Sequence, residues 1–281
     1  MTMQSVLDDT KTFLDHLGMK EEPFGVYYAD TLPEKAVGPK VGVPISRELE
    51  DQGKLDMQEV FKTFSCVMCN VWLARKRQSA AFISTEEYGC IGGVYYCSMM
   101  KPPLAFIEHY VGVGIKGTPI HGERFMPSRE SIRNFLTEVN PRPAPAKYCI
   151  FKPLSQFKNG QEPEFVIFFA RPEVLTGLFN QTAFTTGDMG CVVSPFGAGC
   201  TNMLAWPLYY QQKGLERAVL GGFDPSARKC MKPDELTFTV PLSLYRKMLA
   251  ALPESMFNVD GEWKNIRKKI ARSAKAWGEE E

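Results

Sequence analysis

EPFGVYYAD (22–30), FSCVMCNVWLA (64–74) and AAFISTEEYGCIGG (80–93) are answered further along the chain by EPEFVIFFARP (162–172), GAGCTNMLAWPL (197–208) and RAVLGGFDPSARKC (217–230). Each set reads as an apolar strand, a cysteine at the head of an apolar helix, then a short strand closed by a glycine turn. Taken as copies, the two sets make Cys66 and Cys200 equivalent, and Cys90 and Cys230 approximately so. Packed face to face, they would bring four thiols to one pseudo-twofold seam. The pattern predicts an α+β fold: two similar halves, an internal duplication, around a mixed β-sheet with flanking helices. Residues 1–100 form the first half, 101–147 a bridging insertion, and 148–281 the second half with a C-terminal helix, all in one compact unit.

Between these landmarks the chain is punctuated clearly. Val6, Phe13, Leu14 and Leu17 recur at helical spacing before Gly18, so an opening helix is expected. Residues 34–54 read as a loop and 57–77 as a helix whose last turn, Arg75, Lys76 and Arg77, complements its dipole. The insertion carries one helix, 128–139, begun by Ser128 and stopped by Pro141. The run 163–170 is almost continuously apolar and is placed at the centre of the sheet, and Pro172 begins a helix over 172–179. Residues 189–194 read as a strand, and glycines 197 and 199 turn it into a helix over 200–212. At the end, 262–277 is a basic amphipathic helix expected to dock its apolar stripe, Trp263, Ile266, Ile270 and Trp277, on its own domain.

With 281 residues, 44% of them hydrophobic, the chain can bury a large core without staples. Its 33 basic and 32 acidic residues leave a net charge of +1, which gives no global field for nucleic acid or anionic lipid. No apolar run approaches the roughly 20 residues of a bilayer-spanning helix. The reading is cytoplasmic, with no nucleic-acid or membrane partner, and its eight cysteines are expected as thiols or metal ligands rather than as a disulfide frame.

Thiolates at a helix start beside glycine are suited to soft metals, because close backbone N–H groups stabilise their charge. Cys66, Cys69, Cys90, Cys200 and Cys230 are the candidate ligands, for an iron–sulfur cluster or zinc. Cys66 and Cys69 also form a CxxC, but Val67-Met68 between them resembles a buried turn more than an exposed redox corner. The glycine turns offer a second chemistry: Gly92, Gly93 and Gly222 with the Arg228 fork, and Arg171 nearby, would hold a small anion. His16, His109 and His121 have no nucleophile or carboxylate tied to them by spacing, so no catalytic residue is assigned.

Over most of its length, through FSCVMCNVWLAR, YGCIGG, GCVVSPFGAGCTNMLAWPLYY and LGGFDPSARKC, the chain resembles domain-of-unknown-function family 169 of anaerobic bacteria and archaea. The resemblance carries Cys66, Cys90 with its glycine pair, and Cys200 onto this chain. Many members also have a cysteine near Gly222 in a Cys-x-Gly-x-Arg-like turn; here that position is glycine and the cysteine is displaced to Cys230. The family brings no established activity. The expectation is therefore a thiolate-ligated metal or iron–sulfur protein with a redox role and an unidentified redox partner. The alternative is a module for a small anion or small molecule with structural cysteines, and the terminal helix with Trp277 is a candidate homodimer contact.

Overall fold

The computed structural model describes residues 1–39, 65–100, 105–117, 121–158, 160–258 and 261–278. Strands β1 (Phe24–Ala29), β2 (Ala81–Ser84), β3 (Tyr148–Pro153), β4 (Phe165–Ala170), β5 (Val192–Val193), β6 (Ala218–Gly221) and β7 (Leu236–Pro241) form one seven-stranded sheet in the order β2-β3-β1-β4-β7-β6-β5. All neighbours are antiparallel except β5 and β6, so the sheet is mixed. β4 sits at its centre, buried on both faces, as a continuous apolar run requires.

The middle of the sheet is the antiparallel pair β1 and β4, with Phe24 opposite Ile167 and Val26 opposite Phe165. Outward from it, β3 then β2 lie on one side and β7 then β6 on the other. The strand over residues 148–153, which the sequence groups with the second half, therefore lies between β1 and β2.

Period-2 alternation splits the core into two layers. Phe165, Ile167 and Phe169 of β4 face one layer with Phe24 and Val26; Val166, Phe168 and Ala170 face the other with Tyr27. The first layer is roofed by α2 (Val67–Arg77), α3 (Ile91–Tyr96), α4 (Ala105–Val111), α5 (Arg129–Glu138), the run from the π-helical turn Thr201–Ala205 into α7 (Trp206–Gln212), and the short α8 (Pro225–Arg228). α1 (Met3–Leu17), α6 (Pro172–Thr186), α9 (Leu242–Ala250) and the start of α10 (Glu262–Ala276) cover the second.

The expected helix signals operate. Gly18 ends α1 in the left-handed region at φ 68°, Ser128 Oγ accepts the Ser131 N–H at 3.1 Å, and Pro172 opens α6. Two elements differ in extent. The expected strand over 189–194 is paired only at Val192–Val193, because Asp188 accepts the Gly190 N–H at 2.7 Å in a tight turn and leaves Met189 exposed. α10 docks by its first turns alone: Trp263 is buried and donates to the His16 carbonyl at 2.8 Å, whereas Ile270 and Trp277 are exposed. The expected helix residues 57–64 and most of the expected loop, 40–54, lie outside the described residues. Among those described, no helix is long and apolar enough to cross a membrane.

Candidate functional site

Three cysteines stand at three helix starts on the same face of the sheet. Cys66 is the N-cap of α2, Cys90 the N-cap of α3, and Cys200 leads into the helical run that begins at Thr201. They line one cavity of about 270 Å³, together with Gly92, Gly93, Tyr96, Ile107, Tyr110 and Val111. Glu123 from the insertion, and Asp224, Ser226 and Lys229 from around α8, complete its wall. Thus Cys66, Cys90 and Cys200 meet across the two parts of the sheet.

Glycine makes this closeness possible at two positions. A side chain at Gly93 would come within 2.5 Å of Val67 Cγ2, so α3 can approach the start of α2 only without one. A side chain at Gly199 would meet Met68 Cγ at the same 2.5 Å, which fixes the approach of Cys200 to α2.

Burial sets the state of the sulfurs. It pushes the Cys90 thiol up to about 12, with the neighbouring Cys66 adding to the effect and the Gly93 N–H, 3.3 Å from Cys90 Sγ, opposing it. Cys200 is raised well above the ordinary thiol range, first by burial and then by Cys97, Cys90 and Cys66. Cys66 is raised by burial, with the backbone of Cys69 and Met68 opposing the effect. The three are therefore neutral thiols near neutral pH, poor nucleophiles that become thiolates only when a cation replaces their protons.

The other predicted ligands lie elsewhere. Cys69, one turn into α2, is joined to Cys230, just after α8, by a disulfide spanning a Cα–Cα distance of 5.0 Å. This corrects the expectation that the cysteines stay out of disulfides, and it commits both proposed fourth ligands to each other. It also removes Cys69 as a CxxC partner for Cys66. The helices brought together at the seam place the two residues side by side, a non-local juxtaposition that spacing along the chain does not report. Cys97 and Cys149 form a second buried contact, with the Cys97 thiol raised first by its hydrogen bond to Cys149 and then by burial.

Among the anion-turn residues, Gly92 and Gly93 line the cavity. Gly222 instead packs at φ +95° against Leu236 and Met231. Arg228 gives its guanidinium to the carbonyls of Gly222, Lys232, Pro233 and Glu235 at 2.6–3.3 Å, so it braces the turn and offers no free fork. Arg171 pairs with Asp234 at the surface.

Three wall residues, Tyr110, Glu123 and Lys229, are not singled out in the sequence, and Asp224 enters there only as a turn with Pro225. Asp224 had a signal: Asp before Pro is a helix N-cap signature, and its Oδ1 accepts the Ser226 N–H at 2.9 Å. Glu123 had none, since only the folded insertion carries it to Ser226, whose hydroxyl donates to it at 2.6 Å. Burial raises the Glu123 carboxyl above its ordinary range.

The donor set fits a thiolate-bound centre: three soft ligands of one kind, a backbone N–H on the Cys90 sulfur, and a mostly apolar wall. Among the described residues no group of three His, Cys, Asp or Glu side chains is gathered to hold a single metal ion. No curated protein and no solved structure matches the chain. One family model, described as an uncharacterised ArCR, matches residues 12–251 and so contains all of the cavity wall. On that match the chain belongs to domain-of-unknown-function family 169.

Proposed function

We propose that this protein is an iron–sulfur protein with a redox role, its cluster held in the cavity by Cys66, Cys90 and Cys200. The observation that carries the reading is that three thiols from separate helix starts line one cavity of about 270 Å³. A cluster lets each sulfur bind a different iron, so it asks less closeness of the three sulfurs than one zinc ion does. When bound, such a group supplies one-electron transfer. The chain's own part is to give up three thiol protons, to hold the sulfurs by N–H groups such as that of Gly93, and to exclude water with Tyr96, Ile107 and Val111.

The scaffold supports a duplicated origin. The order β1, β3, β2 with alternating direction matches β4, β7, β6, which supports reading Cys66 and Cys200 as equivalent positions. The same reading keeps the protein in the cytoplasm, where the free Cys66, Cys90 and Cys200 stay reduced long enough to take up metal. A small-anion module in the same cavity would depend on Lys229, since the Arg228 guanidinium is committed to carbonyls.

Anaerobic purification tests the proposal. Broad visible absorbance with iron and acid-labile sulfide in the wild type, lost when Cys66, Cys90 and Cys200 are each changed to Ser, is the expected result. A colourless wild type that takes up neither iron nor sulfide on anaerobic reconstitution overturns it.

A further inference from the structure

Beyond the three thiols, two carboxylates reach the cavity wall, Asp224 and Glu123. They are not equivalent. Glu123 is engaged by the Ser226 hydroxyl and by Tyr110, and burial favours its protonated form. Asp224 is only 8% exposed and is oriented by two backbone N–H groups. Ser226 N–H reaches Oδ1 at 2.9 Å, and Gly199 N–H reaches Oδ2 at 3.2 Å. Gly199 is the residue before Cys200, so the carboxylate is tied to the backbone that presents a ligand sulfur. Its charge is felt by the thiols of both Cys66 and Cys200.

Its place in the topology is also specific. In one part of the molecule β2 runs out to a turn, and Cys90 caps the helix that follows. In the other, β6 runs out to a turn, and Asp224 caps the helix that follows. By place along the strands and helices, Cys90 thus corresponds to Asp224 rather than to Cys230.

We infer that Asp224 is the fourth ligand of the centre, making the site three thiolates and one carboxylate. This rests on the proposed cluster reading. A carboxylate is a harder and less strongly held ligand for iron than a thiolate. The iron at that corner is therefore the labile one, the position where an exogenous oxygen donor would enter beside Glu123 and Lys229. Each oxygen of Asp224 keeps a lone pair after accepting its N–H, so ligation does not require the cap to break.

The test compares wild type, Asp224→Cys, Asp224→Asn and Glu123→Gln after anaerobic reconstitution with iron and sulfide, read by Mössbauer spectra and by iron release to a chelator. Asn preserves the helix cap and Cys offers a thiolate, so melting curves alongside separate misfolding from ligand loss. The expected result is one distinct iron subsite in the wild type that becomes thiolate-like in Asp224→Cys. Iron loss should be about tenfold slower than wild type in Asp224→Cys and faster in Asp224→Asn, the ordering that a softer or a missing ligand implies. A wild type that binds no iron sinks the parent reading. A cluster-loaded wild type whose spectra match those of folded Asp224→Cys and Asp224→Asn, or in which Glu123→Gln alone alters the subsite, overturns the Asp224 assignment and leaves the three-thiol cluster standing.

Discussion

A thiol kept from water at a helix start gives up its proton only when something else replaces the lost hydration. Cys90 and Cys200 are both raised by burial, so their alkylation in the metal-free protein is expected to be slow near neutral pH and to keep rising with pH through the ordinary thiol range without levelling off there. Rapid alkylation of either by iodoacetamide at neutral pH would contradict this burial. Lys152 shows the same physics with opposite charge. Its amino group lies 4.3 Å from the Phe157 ring centre and donates to Gln161 at 2.8 Å. Burial, helped by Lys158, lowers it to about 8. Between that value and the ordinary lysine range the unfolded chain binds more protons than the folded one, so stability rises with pH through this window. Below both values the penalty is constant. Lys152→Met should raise the urea midpoint at about pH 7 and lose much of that advantage near pH 10; an unchanged gap at the two pH values would show that Lys152 carries no such penalty.

At the scale of elements, α2 is held by charge as well as by packing. Arg75 lies over the Phe169 ring at 3.8 Å, donates to both oxygens of Glu235 at 2.7 and 2.9 Å, and reaches Glu21 at 2.6 Å. Removing it would leave buried Glu235 with only Lys232, at 3.8 Å, as a cationic partner among the described residues, so Arg75→Ala should cost about 3–5 kcal/mol in chemical denaturation; a loss below about 1 kcal/mol would mean that Lys232 or water replaces the pair. Gly199→Ala should cost about 1–3 kcal/mol by driving α2 from the Cys200 turn. Helix starts such as Ser128 and Pro172 were legible in the sequence because a cap is a local contract between neighbouring residues. The apolar run of β4 announced a central strand for the same reason. The insertion of β3 between β1 and β2 was not legible, because strand pairing is decided by partners distant along the chain. The start of α3 at Cys90 was visible only as a glycine turn, six residues being too few to show a helical period.

For the molecule as a whole, the cavity belongs to neither part of the sheet alone. Cys66, Cys90 and Cys200 stand out in the sequence as cysteines at helix starts or beside glycine, whereas the pairing of Cys69 with Cys230 and the arrival of Glu123 arise only when helices and insertion close over the sheet. The disulfide joins residues 161 apart in sequence, so under oxidising conditions it should add about 2–5 kcal/mol. Cys230→Ser should lower the unfolding midpoint without reductant and match wild type with it; equal midpoints in both conditions would show that the bond does not form in solution. Iron K-edge X-ray absorption of the anaerobically isolated protein bears most directly on the cavity itself. Iron–sulfur scattering together with an iron–iron shell, both missing from the Cys66→Ser, Cys90→Ser, Cys200→Ser triple variant, is expected. Iron without an iron–iron shell, or identical spectra from wild type and triple variant, would contradict a cluster held by these three sulfurs.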